Sequence, residues 1–399
     1  MSMSNDPLAT NRSTRKETNP PPVIIIGAGP AGLAVGACLQ QAGPSCLILE
    51  QSDNVGASLR HHYDRLHLHT ASAYSGLPFF PLPKDYPRYP SRLQVIEYLE
   101  TYARQFQLPI HFGRQVTAAR LVDGYWKVHT PDALYQSRNL VVATGNAREP
   151  HLPVWPGQAS FQGTILHSSQ YKNGEPFKNQ NVLVVGFGNS GGEIAIDLWE
   201  HGAGANLAVR GPVNVIPREL LGMPILAIGI AQRRLPARWA DGLNSLILHI
   251  AIGDLTRYGL RRLPYGPVTQ IREAGRIPLI DVGTIKLIKA GQVAVFPGIE
   301  SFTRDGVIFT DGRHLKVDAV ILATGYQPRV NTFLEVAAGL LDENGKPARS
   351  GYETSMPGLY FCGYYVSPTG MLREIALEAR RISAAIVQSP TPPVDGSRA

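Results

Sequence analysis

A short β-branched run, Val23-Ile24-Ile25-Ile26, stops at Gly27-Ala28-Gly29-Pro30-Ala31-Gly32 and gives way to the helix-like LAVGACLQQAG and a second apolar run ending at Glu50. No other feature limits the fold of this chain so strongly. A strand that turns on glycines into a helix and comes back as a strand is a complete βαβ unit, which builds parallel sheet. The unit occurs twice. Val182-Leu183-Val184-Val185 leads into Gly186-Phe187-Gly188-Asn189-Ser190-Gly191, the helix-like GEIAIDLWEHG and the run ANLAVR ending at Arg210. A lone glycine pattern of this spacing also occurs as a tight turn in unrelated loops; two of them, each between a strand and a helix, are hard to read that way.

Each unit is closed by a similar distal run, LVVATG with Ala143, Thr144 and Gly145, and VILATGY with Ala323, Thr324 and Gly325. The expected fold class is α/β, with two nested Rossmann-like dinucleotide-binding domains. The boundaries read as 21–172 plus 315–388 for the first domain and 173–314 for the inserted one. A polar, proline-ended leader (1–20) and a Pro-, Ser- and Gly-rich tail (389–399) are expected to be disordered.

In such a loop the first glycine makes the turn, the second lets backbone approach a pyrophosphate, and the third lets helix and strand pack closely. The helix N-terminus adds free N–H groups and positive potential. The two loops differ about 20 residues on, where the chain meets the adenosine ribose. Glu50 stands 18 positions past Gly32. A carboxylate there accepts from ribose hydroxyls and repels a 2′-phosphate, so the first unit suits FAD or NAD. Arg210 stands 19 positions past Gly191, and a guanidinium pairs with a 2′-phosphate, so the second suits NADPH. The plainer reading of Arg210 is a solvent-facing arginine at a strand end. Arg218 is a second phosphate partner or half of a structural salt bridge.

Composition removes several other classes. A chain of 399 residues, 44% hydrophobic and 17% charged, suits two globular domains. Its net charge of +7 admits an acidic partner. Yet the densest basic pairs, Arg233-Arg234 and Arg261-Arg262, lack the interleaved aromatics that single strands need, so no nucleic-acid function is expected. Cys38, Cys46 and Cys362 are too few for a disulfide framework and read as core thiols of a reducing compartment. No C-x-x-C is present, which argues against the disulfide reductases. No apolar run opens the chain, so a cytoplasmic protein is expected. The apolar stretches between 220 and 260 run to about a dozen residues, short of the roughly 20 a span needs, so no transmembrane segment is expected. They read as two buried helices; sharper readings are an apolar substrate tunnel or a surface meeting membrane or a second subunit, and a homodimer stays open. The cluster His61, His62, His67 and His69 lacks a completing carboxylate or thiolate, so no metal is expected. A strand passing under a flavin, with His69 or Thr70 touching it, explains these residues better.

Between the two loops, Phe161-Gln162-Gly163-Thr164-Ile165-Leu166-His167-Ser168-Ser169-Gln170-Tyr171-Lys172 resembles, at Phe161, Gly163, His167 and Tyr171, the signature of class B flavin-dependent monooxygenases. Its Tyr-Lys ending resembles the flavin-containing monooxygenase branch rather than the Baeyer–Villiger branch. Ala323-Thr324-Gly325-Tyr326 is similar to a second diagnostic motif, and Gly186 to Gly191 resembles the NADPH loop down to its Asn189-Ser190 pair. Within the family the likeness is strongest to the YUCCA type, which converts indole-3-pyruvate to indole-3-acetate. It runs through Tyr63 to His69, Leu77-Pro78, Asp85-Tyr86-Pro87, Tyr98-Leu99-Glu100, Pro217-Arg218-Glu219, Tyr258-Gly259-Leu260 and Val295 to Ile299.

The resemblance implies bound FAD, NADPH as hydride donor, and O2 and a small molecule as substrates. FAD is then expected on Gly27, Gly29, Pro30, Ala31 and Gly32, with Glu50 at its ribose and Gln51 and Val116 among its contacts. Leu59, His69, Thr70, Ala143, Thr144, Gly145, Gly363 and Met371 complete its expected contacts. NADPH is expected on Gly186, Gly188, Asn189, Ser190, Gly191, Arg210, Ala323, Thr324 and Gly325. Leu59 departs from the tryptophan many members carry over the flavin. Thr70-Ala71-Ser72 lacks the asparagine of many amine-oxidising members, as the YUCCA type does.

The implied cycle forms a C4a-(hydro)peroxyflavin that passes one oxygen atom to the substrate. Deprotonated, the peroxide attacks a carbonyl, as in oxidative decarboxylation of an aromatic 2-oxo acid; protonated, it oxidises an amine or sulfide. Both chemistries stay open, as does a flavoprotein sensor without turnover. The flavin supplies the chemistry, and no Ser-His-Asp order is present, so no catalytic side chain is assigned.

Overall fold

Runs that are apolar at every position form strands buried on both faces, which is the environment of a parallel sheet covered by helices. In the computed structural model, which describes residues 22–388, such runs become two parallel sheets. The expected leader and tail lie outside the described residues. In chain order the framework is β1 (Val23–Ile26), α1 (Pro30–Ala42), β2 (Cys46–Leu49), β3 (Ile110–His111), β4 (Asn139–Val142), β5 (Thr164–His167), β6 (Asn181–Val185), α2 (Asn189–Glu200) and β7 (Gly204–Ala208). Three helices follow: α3 (Ile225–Ala231), α4 (Ala237–Ile252) and α5 (Pro267–Ala274). Last come β8 (Val293–Phe296), β9 (Ala319–Leu322), β10 (Leu359–Phe361) and α6 (Met371–Gln388).

The first sheet has the order β10-β4-β1-β2-β3 and the second β5-β9-β6-β7-β8, parallel throughout. Strand for strand they are the same sheet. The outermost strand beside β4 or β9 is borrowed from a distant part of the chain in each case: β10 from the C-terminal end, and β5 from the segment preceding the second unit. This moves the expected boundaries. Thr164–His167 and Ala319–Leu322 fall within the spans 21–172 and 315–388 expected for the first unit, but both pair in the second sheet. A strand's apolar content specifies that it is buried, not which of two similar sheets buries it.

Helices α1 and α6 share one core under the first sheet, built from Leu33, Ala34, Ala37, Ile375, Ala379 and Ile382. The expected thiols Cys38, Cys46 and Cys362 are all free and buried. In the second unit Ile194, Ala195 and Leu198 of α2 pack with Val182, Val184 and Leu207. The two buried helices expected between 220 and 260 form as α3 and α4, but α4 is buried on one side only. Ala240, Leu248 and Ile252 face inward, while Trp239, Leu243 and Ile250 are 72%, 64% and 75% exposed. Among the described residues no helix is long and apolar enough to cross a membrane.

Candidate functional site

The glycines of the two loops occupy equivalent environments. Gly27 and Gly186 have φ of 105° and 111°, backbone that disfavours side chains. A Cβ on them would lie 2.8 Å from the Ala143 carbonyl oxygen and 2.5 Å from that of Ala323. Each Ala-Thr-Gly run thus closes over the first glycine of its own loop. A Cβ on Gly32 or Gly191 would stand 1.9 Å or 2.2 Å from the carbonyl oxygen of Gly27 or Gly186. The third glycine is therefore required by the turn itself. Gly29 and Gly188 differ: nothing lies within 4 Å of a Cβ built there. That open space sits at the start of α1 (Pro30, Ala31, Gly32) and of α2 (Asn189, Ser190, Gly191), where first-turn N–H groups have no intrahelical acceptor. Both cradles fit a pyrophosphate. Asn189 has a second task, its Oδ1 accepting from the Ile280 N–H at 2.8 Å.

Beside the first loop a cavity of about 630 Å³, partly open to solvent, brings together Gly27, Gly29, Glu50, Gln51, Val116, Ala143 and Thr144. Glu50 is buried just past β2. Its Oε2 accepts from the Ala28 N–H at 2.7 Å, and its Oε1 accepts from the N–H and hydroxyl of Ser52, both at 2.9 Å. A carboxylate offers about four acceptor directions, so one on Oε2 is left for a ribose hydroxyl. Thr144 meets the Tyr364 hydroxyl at 2.8 Å. Sequence reasoning missed Arg114, Arg148 and Phe333 on the cavity wall. Arg148 lies over the Phe333 ring at 5.0 Å and donates to the Arg329 carbonyl at 2.7 Å. Only tertiary packing brings these three here, and no local pattern marks them.

Arg210 follows β7 and is exposed, its aliphatic stem against Gly298, where a Cβ would come within 3.3 Å of its Cγ. Among the described residues it has no ion pair, so its charge is available. Arg218 lies over the Tyr89 ring at 4.2 Å, while its neighbour Glu219 pairs with Arg88 at 3.0 Å.

The signature residues lock the second unit together. Gly163 is needed because a Cβ there would stand 2.4 Å from the Asp318 carbonyl and 2.5 Å from the Phe161 ring, which itself meets Phe302 edge-on. His167 ends β5. Its Nδ1 accepts from the Ser169 N–H at 3.1 Å, which leaves Nε2–H to donate to the Gly325 carbonyl at 3.0 Å. Burial holds its pKa below the ordinary histidine value, so the ring is neutral. Tyr171 donates to Asp197 of α2 at 2.5 Å and stacks on Phe177; burial and that carboxylate push its phenol far up. Thr324 donates to the His151 carbonyl at 2.5 Å. Gly163, His167, Tyr171 and Thr324 thus make internal contacts.

A second cavity of about 1200 Å³, also partly open, lies between α3, α4, α5 and the start of α6. His69, Thr70 and Met371 from the expected flavin set line it, with Asn189 from the NADPH loop. Its remaining wall is mostly aliphatic, including Ile225, Leu226, Leu248, Ile271 and Ile280. No lysine or arginine lines it. Asp241, its one carboxylate, caps α5 by accepting from the N–H groups of Val268 and Thr269 at 2.8 and 2.9 Å. Gln232 and Asn244 hydrogen-bond each other at 2.8 and 3.1 Å, which uses one proton of each amide and leaves one free.

The expected strand under the flavin is absent at His67–Thr70, where an isolated bridge from His67 to Ser91 replaces it. His67 is exposed and His69 partly buried, its Nε2 3.0 Å from Oε1 of the buried Glu193 on α2. Leu59 lies on a short helix (Ala57–His61) packed against the first core, outside both cavities. The Gly363 N–H donates to Glu378 at 2.6 Å, and Gly145 has a φ of 75°.

The family model described as pyridine nucleotide-disulphide oxidoreductase matches residues 24–217. Among solved structures, a double-mutant flavin monooxygenase from Stenotrophomonas maltophilia superposes with a TM-score of 0.72 at 22% identity, covering 92% of this chain and 98% of that one. An open crystal structure of cyclohexanone monooxygenase gives 0.72 at 18% identity, covering 92% and 87%. The fold is that of the two-dinucleotide flavoprotein oxidoreductases, the class to which flavin monooxygenases belong. Indole-3-pyruvate monooxygenase YUCCA1 of Oryza sativa subsp. japonica is 41% identical over 336 residues, 83% of each chain, and the probable YUCCA1 enzyme of Arabidopsis thaliana is 40% identical, covering 86% of this chain and 84% of its own. The chain belongs to the YUCCA family of flavin-dependent monooxygenases, oxidoreductases that work with FAD, NADPH and O2.

Proposed function

We propose that this enzyme oxidatively decarboxylates an aromatic 2-oxo acid, with indole-3-pyruvate as the leading candidate. The observation that carries this reading is the aliphatic cavity between α3, α4 and α5, whose wall includes His69, Thr70 and Met371 and the Gln232–Asn244 pair with one unused proton on each amide. An indole ring suits the aliphatic wall, and a carboxylate suits amide donors where no cation is present. FAD lies across the first loop with its ribose on Glu50, and NADPH across the second with its 2′-phosphate on Arg210, in two nested nucleotide domains. Bound there, the flavin supplies the activation of O2. The protein's residues hold the two nucleotides, shield the reaction from water and orient the keto group. The overall balance is 2-oxo acid, O2, NADPH and a proton giving the shortened acid, CO2, NADP⁺ and water.

Incubating the purified flavoprotein with NADPH in air and either indole-3-pyruvate or a tertiary amine tests this directly. Indole-3-acetate with CO2 is expected; an N-oxide without indole-3-acetate would refute it. Arg210→Ala should raise the NADPH KM on the order of tenfold, the worth of a hydrogen bond to a charged group at an exposed site, and leave NADH kinetics unchanged. Equal losses with both nucleotides would remove the 2′-phosphate from Arg210.

A further inference from the structure

Helix α4 turns an apolar face to solvent. At about 100° per residue, Trp239, Leu243, Ile247 and Ile250 fall on one side of the helix, opposite the buried Leu248 and Ile252. Among the described residues nothing covers this face, and all four outer residues are exposed, between 42% and 75%. The polar exposed residues of the helix, Arg238, Ser245 and His249, lie along one border of that face.

Charge decides what covers it. From residue 221 to 262 the chain carries six arginines and two aspartates. Asp241 is occupied in capping α5, and Asp254 in holding Thr256. Arg233, Arg234 and Arg238 stand exposed at the N-terminal end of α4. Arg261 and Arg262 stand exposed at its other end, lining one hollow with His249 and Ile252. None of the five is ion-paired among the described residues. An apolar helical face with a tryptophan, bordered by free arginines, has the chemistry of a helix that lies in the plane of an anionic lipid surface. A second copy of the chain fits less well: a two-fold interface sets the same patch against itself and brings arginine against arginine.

We propose that the outer face of α4 docks the enzyme peripherally on an anionic membrane, the apolar side chains entering the headgroup boundary and the arginines meeting lipid phosphates. No span is required, and detachment by salt is expected because the charged contacts are screened.

The test is cosedimentation of the full-length, FAD-loaded enzyme with phosphatidylcholine vesicles and with the same vesicles containing phosphatidylserine. Pelleting with the anionic vesicles alone is expected. The double variant Trp239→Glu, Leu243→Glu should weaken it at least on the order of tenfold while keeping flavin absorbance and NADPH oxidation. Arg233→Glu with Arg234→Glu should do the same, and serves where the first variant fails to fold. Three results would overturn the proposal: a wild-type enzyme that stays in the supernatant with both vesicles, folded variants that pellet as well as wild type, or a dimer in sedimentation velocity that Trp239→Glu dissociates.

Discussion

At Gly29 and Gly32, three residues apart in one loop, the same substitution should have opposite consequences. Gly29 has a φ of −77° and open space at its Cβ position, so Gly29→Ala should leave the apoprotein's stability within about 0.5 kcal/mol. It should nonetheless lose bound flavin, because the methyl group fills the pyrophosphate cradle. Gly32→Ala drives a methyl to within 1.9 Å of the Gly27 carbonyl and should cost roughly 3 kcal/mol or more by overpacking. Denaturant unfolding of the two apoproteins, with flavin absorbance after reconstitution, separates binding from folding. These residues and Glu50 were legible in the sequence because a nucleotide loop is local: its parts lie within about 30 residues. Arg148, Phe333, Gln232 and Asn244 were not, since each reaches its cavity only through tertiary packing.

Among the elements, periodicity correctly indicated two helices in the stretch after residue 220 and could not orient them. An apolar position looks the same whether it faces a core, a cavity or solvent, and α4 has all three: Ala240 inside, Leu248 at the cavity, Trp239 outside. For the same reason the run that becomes β9 was recognisable as a closing element but its sheet was not, and β5 passed unmarked inside the signature. The Gln232–Asn244 pair joins the end of α3 to α4 at the cavity wall. Asn244→Leu keeps the volume and removes the free amide proton, so the KM for a 2-oxo acid should rise roughly five- to tenfold, the worth of about one hydrogen bond, with kcat little changed. The KM for the corresponding 2-oxo ester should move much less.

For the molecule as a whole, acid sensitivity follows from its buried histidines. Burial lowers the pKa of His167 and His62 from the ordinary 6.5, so the unfolded chain takes up their protons first as pH falls. Stability is therefore fully present above about pH 6.5 and declines as pH drops towards the lower folded values. The urea midpoint should fall between about pH 7.5 and pH 5.5, and His167→Gln should flatten that fall; an unchanged slope would remove His167 from the account. His167 matters globally because its ring joins β5 to the Ala-Thr-Gly run that follows β9.

The borrowed strands also set a timetable for synthesis. All five strands of the second sheet have been made once the ribosome passes Leu322. The first sheet, although β1 begins it at Val23, waits for Leu359–Phe361 and for α6. The nascent chain therefore holds a complete nucleotide unit in its middle while its beginning still lacks an edge strand and the helix that packs on α1. A chain truncated between residues 322 and 359 should carry every strand of the second sheet and lack an edge strand and the packing helix of the first, and flavin is the ligand it should fail to hold.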